Sequence, residues 1–375
     1  MRMKRRTGVT GWGLYMVMAA ILLLLAKTPV YAADTDVVPI SAVLYTGSGA
    51  EIFALPDAAT YVTSFPGDVP LQVTGQTVNG FFQVLIDNQV YYIYSNAMST
   101  VTGTTAYKLT SVDAKAALAG DAVTGELLYA QNAFDRLAPA STTKLMTALL
   151  VMDAVSQGQL SLDTPVIVSA TALAGVPYDA SHVSPRLKAG EIMNILELLE
   201  CTLIKSDCHA CNVLAEAVAG SVDNFVALMN IRAAGLGCVD TNFVNTSGYP
   251  ANNHYSNAYS LFLIAREAMK YDAIRTIAAM PQVTIAATNL TAERTFESTN
   301  ELIKQSAYYN PYVIGGKTGS SSSSGLCLVT AAVKNDKYVI TVILGAKSTL
   351  MSNGQVQRQQ FSETNKLLDI AFQAS

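Results

Sequence analysis

Two residue pairs in this chain have the types and spacing for chemistry. The first is Ser141 and Lys144, in Pro139-Ala140-Ser141-Thr142-Thr143-Lys144-Leu145-Met146-Thr147, ahead of the apolar run Leu149-Leu150-Val151-Met152. Pro139 and the hydroxyl cluster predict a helix start. A spacing of three puts the hydroxyl and the amine on one helix face. The helix N-terminus would turn its free N–H groups and positive dipole end toward Ser141. A neutral lysine there could take the serine proton, and the N–H groups could hold an oxyanion. The plain alternative is a serine that only caps a helix.

The second pair is Lys317 and Thr318, followed by Gly319 and preceded by Gly315-Gly316, before a serine run and a strand. A lysine and a hydroxyl at a strand edge can bind a carboxylate, and the glycines let a substrate backbone come close. The alternative is a surface loop with one lysine. Other chemistries have less support. The histidines are His182, His209 and His254, and no Gly-x-Ser-x-Gly elbow accompanies them, which counts against a Ser-His-Asp hydrolase. Cys208-His209-x-Cys211 lacks a second ligand pair at zinc-site spacing, so neither metal nor cofactor is expected. The five cysteines are odd in number and not spaced as a disulfide scaffold; mostly buried thiols are expected, with room for one bridge.

The elements that must position these residues follow from the rest of the chain. Its 375 residues suffice for two domains and a sizeable core. A formal net charge of -4 with 14% charged residues gives no sign of a nucleic-acid partner. Residues 1–32 read as a signal peptide: Arg2, Lys4, Arg5 and Arg6, an apolar Trp12 to Ala26, and Val30-Tyr31-Ala32 before the cut. Membrane attachment is expected only through this segment, if it stays uncleaved, and the working location outside the membrane, in the cell envelope. Residues 37–98 alternate β-formers with turns, as in Val69, Leu71 and Val73 before Gly75, the turn Asn79-Gly80, Phe82 and Val84, the turn Asp87-Asn88, and Val90 to Tyr94. This stretch resembles a bacterial SH3-like barrel, which implies a wall-binding or substrate-positioning accessory; a packing module without a ligand is the alternative.

Residues 99–105 read as a linker, and 106–375 as an α/β (α+β) domain. There, two strands lie around Thr124-Gly125, and helices are expected from Ser141 and over Glu191–Ile204, Ala210–Ala219, Val222–Ala234 and Tyr259–Lys270. Strands at Gly325–Val333 and Tyr338–Leu344 flank the turn Lys334-Asn335-Asp336, and a final helix covers Gln360–Phe372. Strands at both ends with helices between predict one sheet assembled from distant segments.

Taken together, the motifs resemble the serine-type D-Ala-D-Ala carboxypeptidases, the low-molecular-mass penicillin-binding proteins. The resemblance runs from Ala117 to Phe372. It is carried by Asp121-x-x-Thr124-Gly125-x-x-Leu128-Tyr129, the Ser141/Lys144 stretch, Gly190-Glu191, Phe225-Val226-x-x-Met229-Asn230, Leu236-Gly237, Asn245, Gly248 and His254. Gly315-x-Lys317-Thr318-Gly319, Gly325-x-Cys327-Leu328-Val329 and Leu344-Gly345 complete it. It implies a transpeptidase/β-lactamase-like fold, an antiparallel sheet flanked by helices. Ser141 would be the nucleophile, Lys144 its base, and Ser206 the relay to the leaving D-Ala. Lys317 and Thr318 would hold the substrate carboxylate beside Gly319, with the N–H groups of Ser141 and Ser320 around the oxyanion. The implied substrate is the peptidoglycan stem peptide ending in D-Ala-D-Ala, with β-lactams as inhibitors.

The family's Ser-x-Asn element falls on Ser206-Asp207-Cys208, with Cys208 in place of asparagine. Asn212, one turn on, is a candidate to supply the missing amide. Ser298-Thr299-Asn300 matches Ser-x-Asn literally and is expected to be structural. A β-lactamase shares Ser-x-x-Lys and Lys-Thr-Gly, but no Glu-bearing loop for deacylation stands out between Ser206 and Lys317. A wall protein that binds D-Ala-D-Ala or penicillin without turnover is the other alternative. The chain's end soon after its last helix leads to the expectation of no further C-terminal β domain or amphipathic anchor.

Overall fold

The structure is a computed structural model. It describes residues 37–46, 50–54, 61–65, 70–77, 80–86, 89–94, 98–99, 112–238, 240–350 and 356–373. The signal peptide, residues 100–105 of the linker and the turn residues Asn79, Asp87 and Asn88 lie outside the described residues, while Ser99 ends a short strand.

The N-terminal strands are β1 (Val37–Thr46), β2 (Ala50–Phe53), β3 (Tyr61–Phe65), β4 (Pro70–Thr77), β5 (Phe81–Ile86), β6 (Gln89–Tyr94) and β7 (Met98–Ser99). They form one antiparallel sheet in the order β3-β2-β6-β5-β4-β1-β7. Period-two alternation explains its inner face: Leu71 and Val73 on β4, Phe82 and Val84 on β5 and Ile93 on β6 are buried. Phe82 meets Phe134 edge-on, with ring centroids 5.2 Å apart, and Phe134 leans on Tyr259 at 5.0 Å.

The larger part opens with the hairpin β8 (Ala116–Asp121) and β9 (Leu127–Gln131). A tight turn over Ala140–Thr143 leads into α1 (Lys144–Ser156). Then come β10 (Pro165–Ile167), α2 (Ala170–Leu173), β11 (Ile192–Asn194), α3 (Ile195–Leu203), α4 (Cys208–Ala219), α5 (Val222–Gly235), α6 (Ala258–Ala268) and α7 (Asp272–Ala278). Hairpin β12 (Gln282–Ile285) and β13 (Arg294–Glu297) precedes β14 (Val313–Ser321), β15 (Gly325–Lys334) and β16 (Lys337–Ala346). The short β17 (Ser348–Leu350) and β18 (Val356–Arg358) lead to α8 (Gln359–Gln373).

The main sheet has the order β14-β15-β16-β8-β9, so the first strand of this part pairs with β16 from its far end, Leu118 opposite Val342. Alternation decides which helices cover each face. Ala117, Ala119, Val339 and Ile343 pack on Leu367, Leu368 and Ala371 of α8. Leu118, Ile340, Val342 and Leu344 face the helical core instead. There α1 is the central element: ten of its thirteen residues are buried, as an all-round apolar sequence requires. It touches α3, α4, α5 and α6.

Two helix starts differ from expectation. Ser141 is not on the α-helix; it sits in a 3-10 turn whose α-helical continuation begins at Lys144. Three residues per turn eclipses positions i and i+3, so the tighter turn stacks Ser141 and Lys144 more directly than an α-helix would. Over Glu191–Ile204 the helix starts only at Ile195, because Asn194 and Glu197 make a reciprocal capping box and Ile192–Asn194 pairs with Pro165–Ile167 as strand. All five cysteines are free thiols, so the one bridge left open does not form.

Candidate active site

The site lies where β14 meets the 3-10 turn. A Cβ on Gly319 would come within 2.9 Å of the Ser141 nitrogen, so only glycine lets the strand lie this close. On the other side, Gly248 (φ +77°) presses on the same turn, where a Cβ would fall 1.8 Å from the Ala140 carbonyl oxygen. The turn is therefore held between two glycine contacts, and Ala140 itself adopts a left-handed φ of 48°.

Lys144, fully buried on the first turn of α1, places Nζ 3.0 Å from Ser141 Oγ. The amine also donates to the Ser247 carbonyl at 2.8 Å and lies 3.6 Å from Cys208 Sγ. An Asx turn aims that carbonyl: Asn245 Oδ1 accepts from the N–H groups of Ser247 (3.1 Å) and Gly248 (2.7 Å). Beside it, Thr147 Oγ1 donates to the Thr246 carbonyl at 2.6 Å.

Lys317 enters from β14, opposite Val329, with its side chain buried and Nζ donating to the Thr318 carbonyl at 2.8 Å. Burial, and then the positive charge of Lys144, push the Lys317 ammonium down to about 7. Two buried amines thus lie near one hydroxyl, and holding two protons there is costly.

The third corner is the entry to α4. Ser206 has a left-handed φ of 68°, and its hydroxyl is buried with no hydrogen-bond partner among the described residues. An orphaned hydroxyl on a strained backbone suits a group kept ready for a ligand. Cys208, at the first position of α4, is buried against Lys144, and its thiol is a much weaker hydrogen-bonding group than an amide.

Of the residues read from sequence, Ser141, Lys144, Cys208 and Lys317 are brought together, with Gly319 against the turn and Ser320 exposed at the strand's open end. Thr318 bonds the hydroxyl of Thr299. Asn212 corrects the expectation placed on it. Its Nδ2 donates to the Ala172 carbonyl at 3.0 Å and its Oδ1 accepts from Thr246 at 2.6 Å. Each end of the amide is held by the scaffold, and neither hydrogen bond reaches Cys208.

The structure adds residues that sequence reasoning did not single out for roles. Ser247 gives Lys144 its carbonyl. Thr299 orients Thr318, and its own N–H is tied to the Ile204 carbonyl at 3.2 Å. His254 Nε2 lies 3.0 Å from Thr143 Oγ1, while its Nδ1 accepts the Val244 N–H at 3.2 Å. Burial and Lys144 push His254 down to about 4, so it is a neutral brace for the turn. Asn245 and His254 were visible as motif positions; nothing local announces that they aim a carbonyl or steady a threonine.

Comparison with known proteins agrees with this geometry. A family model described as D-alanyl-D-alanine carboxypeptidase matches residues 101–348. The D-alanyl-D-alanine carboxypeptidase DacF of Bacillus subtilis is 34% identical over 260 residues, 69% of this chain and 62% of that protein. The chain thus spans about 62% of the length of that curated relative. The crystal structure of the Streptomyces K15 DD-transpeptidase superposes with a TM-score of 0.61 at 30% identity, covering 70% of this chain and 98% of that one. Its solved variants include a serine changed to alanine and, two positions on, a cysteine changed to asparagine, the spacing of Ser206 and Cys208 here. Penicillin-binding protein D2 of Listeria monocytogenes, in its cefotaxime-bound form, gives a TM-score of 0.58 at 28% identity, covering 70% of this chain and 98% of that one. With the family model spanning most of the chain, this protein belongs to the S11 peptidase family of D-alanyl-D-alanine carboxypeptidases.

Proposed function

We propose that this protein is a serine DD-carboxypeptidase that removes the terminal D-Ala from peptidoglycan stem peptides through an ester on Ser141. The observation that carries this reading is the convergence of two buried amines on one hydroxyl: Lys144 Nζ 3.0 Å from Ser141 Oγ, with Lys317 near enough for the charge of one to depress the other. Lys317 gives up its proton near neutral pH. A substrate carboxylate arriving at Lys317 holds the remaining proton there, which leaves Lys144 neutral beside the serine. Ser141 Oγ then attacks the penultimate carbonyl as its proton passes to Lys144. The peptide C–N bond breaks when the leaving nitrogen receives that proton, with Ser206 as the relay. Water, deprotonated by the same amine, releases the acyl group. The N–H groups of Ser141 and Ser320 are the oxyanion donors in this scheme, and losing one such donor typically costs about 10²–10³ in rate.

The names of the relatives support the substrate, and the cefotaxime-bound Listeria structure supports β-lactams as inhibitors. Such peptides lie in the cell envelope, which agrees with reading residues 1–32 as an export signal and 37–98 as an SH3-like module. The test is mass spectrometry of Ser141 after brief penicillin exposure, beside D-Ala release from a pentapeptide. A penicilloyl adduct on Ser141 that is lost in Ser141→Ala, together with D-Ala release, is the expected result. Adduct without release would leave a binding protein, and rapid loss of the adduct a β-lactamase.

One observation favours a second reading, transpeptidation. The Ser-x-Cys spacing of Ser206 and Cys208 is shared with the K15 DD-transpeptidase. Adding an amine acceptor to the pentapeptide assay separates the two, since transfer product would then form in place of free acid.

A further inference from the structure

Outside the Lys144–Lys317 pocket, one cluster of side chains has no role in the chemistry above. The irregular segment 174–190 folds over the start of α4. The Ser181 carbonyl accepts the Cys208 N–H at 2.9 Å, and the Val183 N–H donates to Asp207 Oδ2 at 2.6 Å. This docking lays the ring of His182 over that of His209, centroids 4.3 Å apart, with Asp207 beside both. One ligand atom from each of His182, Asp207 and His209 lies within 4.8 Å of the other two.

The hydrogen bonds around the cluster decide what it offers. His182 Nε2 faces the Pro177 carbonyl at 3.4 Å. His209 bonds the Leu173 carbonyl, and its Nδ1 has no partner, so Nε2 makes that bond. Both rings therefore carry their proton on Nε2 and keep a bare lone pair on Nδ1. Both Nδ1 atoms are buried without a partner among the described residues. Asp207 adds carboxylate oxygens already oriented by the N–H groups of Val183 and Ala210, at 2.6 and 2.7 Å. The cluster thus leaves two buried ring nitrogens unpaired close to a carboxylate, and unpaired buried acceptors are costly.

We propose that His182 Nδ1, His209 Nδ1 and the Asp207 carboxylate form a binding site for a zinc-class divalent cation, distinct from the serine–lysine centre. Two imidazoles and one carboxylate suit zinc, nickel or copper, whereas calcium and magnesium favour oxygen ligands alone. The main-chain bonds to each ring and to the carboxylate are the outer contacts that orient metal ligands. Ligand bonds of about 2.0–2.2 Å require the three atoms to draw together by about an ångström, which the half-buried His182 has room to do. Asp207 lies between Ser206 and Cys208, so a bound cation would pin the segment 174–190 to that corner of the cleft. The sequence hid the site: the Cys208-His209-x-Cys211 spacing drew attention to thiols, while the second imidazole comes from a distant loop.

The test is calorimetric titration of the full, metal-stripped chain with Zn²⁺, on wild type, His182→Ala and His209→Asn, with thermal melts to check that each variant is folded. Saturable binding of one equivalent is expected, weakened by more than about tenfold in each variant. Absence of saturable binding to the wild type would overturn the proposal. So would His182→Ala binding as tightly as wild type, or loss of binding in Cys208→Ser alone, since either points to the thiols.

Discussion

At the scale of single residues, the chemistry depends on a proton count. Lys317 ordinarily titrates at 10.5 and is brought down to about 7 by burial and by Lys144. Above that point Lys317 is mostly neutral, and below it mostly charged. On the proposed mechanism, a Lys317 that is already charged cannot receive a proton from Lys144, and Lys144 then cannot take that of Ser141. Acylation of Ser141 by a β-lactam should therefore slow as pH falls through about 7, approaching tenfold per unit well below the midpoint. Stopped-flow acylation between pH 5 and 9 checks this, and a flat profile from 6 to 8 would count against the shared proton. Removing one partner tests the same idea. Lys317→Met deletes the titrating amine, so the step near pH 7 should disappear even where the overall rate drops.

At the scale of elements, the 3-10 turn over Ala140–Thr143 is positioned by what lies against it. Gly248 and Gly237 share nearly the same left-handed φ, +77° and +78°, but differ in surroundings. A Cβ at Gly237 meets nothing within 4 Å, while one at Gly248 strikes the Ala140 carbonyl. Gly237→Ala should cost about 1–2 kcal/mol of backbone strain and leave penicillin labelling intact. Gly248→Ala should cost more and abolish labelling, because the turn carrying Ser141 has to move. Urea denaturation paired with labelling reads both effects, and equal behaviour of the two variants would refute the account. Sequence showed the turn's chemistry but not its mould. Ser141 and Lys144 announced themselves through spacing, whereas the pressure of Gly248 and Gly319 arises from segments that meet only in three dimensions. Asn212 was misjudged for the same reason. Its helix position was right for an amide near Cys208, but Ala172 and Thr246, invisible in any local pattern, had already claimed it.

At the scale of the molecule, the buried ion pair Arg294–Glu191 and the stack Phe82–Phe134–Tyr259 are joints between distant segments. Phe134 is buried where the N-terminal sheet reaches the larger part. Phe134→Ala should lower stability by about 3–5 kcal/mol and split the thermal transition, if the two parts now melt as one. Calorimetry decides, and an unchanged single transition would show that the stack joins nothing of consequence. The coarse architecture was legible: a β-rich first part, helices in the middle, and strands from both ends in one sheet. Short strands such as Pro165–Ile167 and Arg294–Glu297 were not, being too brief for a periodic signal and defined by their partners alone.

The pairing of Leu118 with Val342 also orders events in time. A growing chain cannot complete the main sheet until β16 has left the ribosome, because β8 lies between β9 and β16. Until then Ser141 and Lys144 exist as neighbours in sequence, but the second amine that tunes them has not arrived. On the proposed mechanism, Ser141 would gain its second amine only late in synthesis.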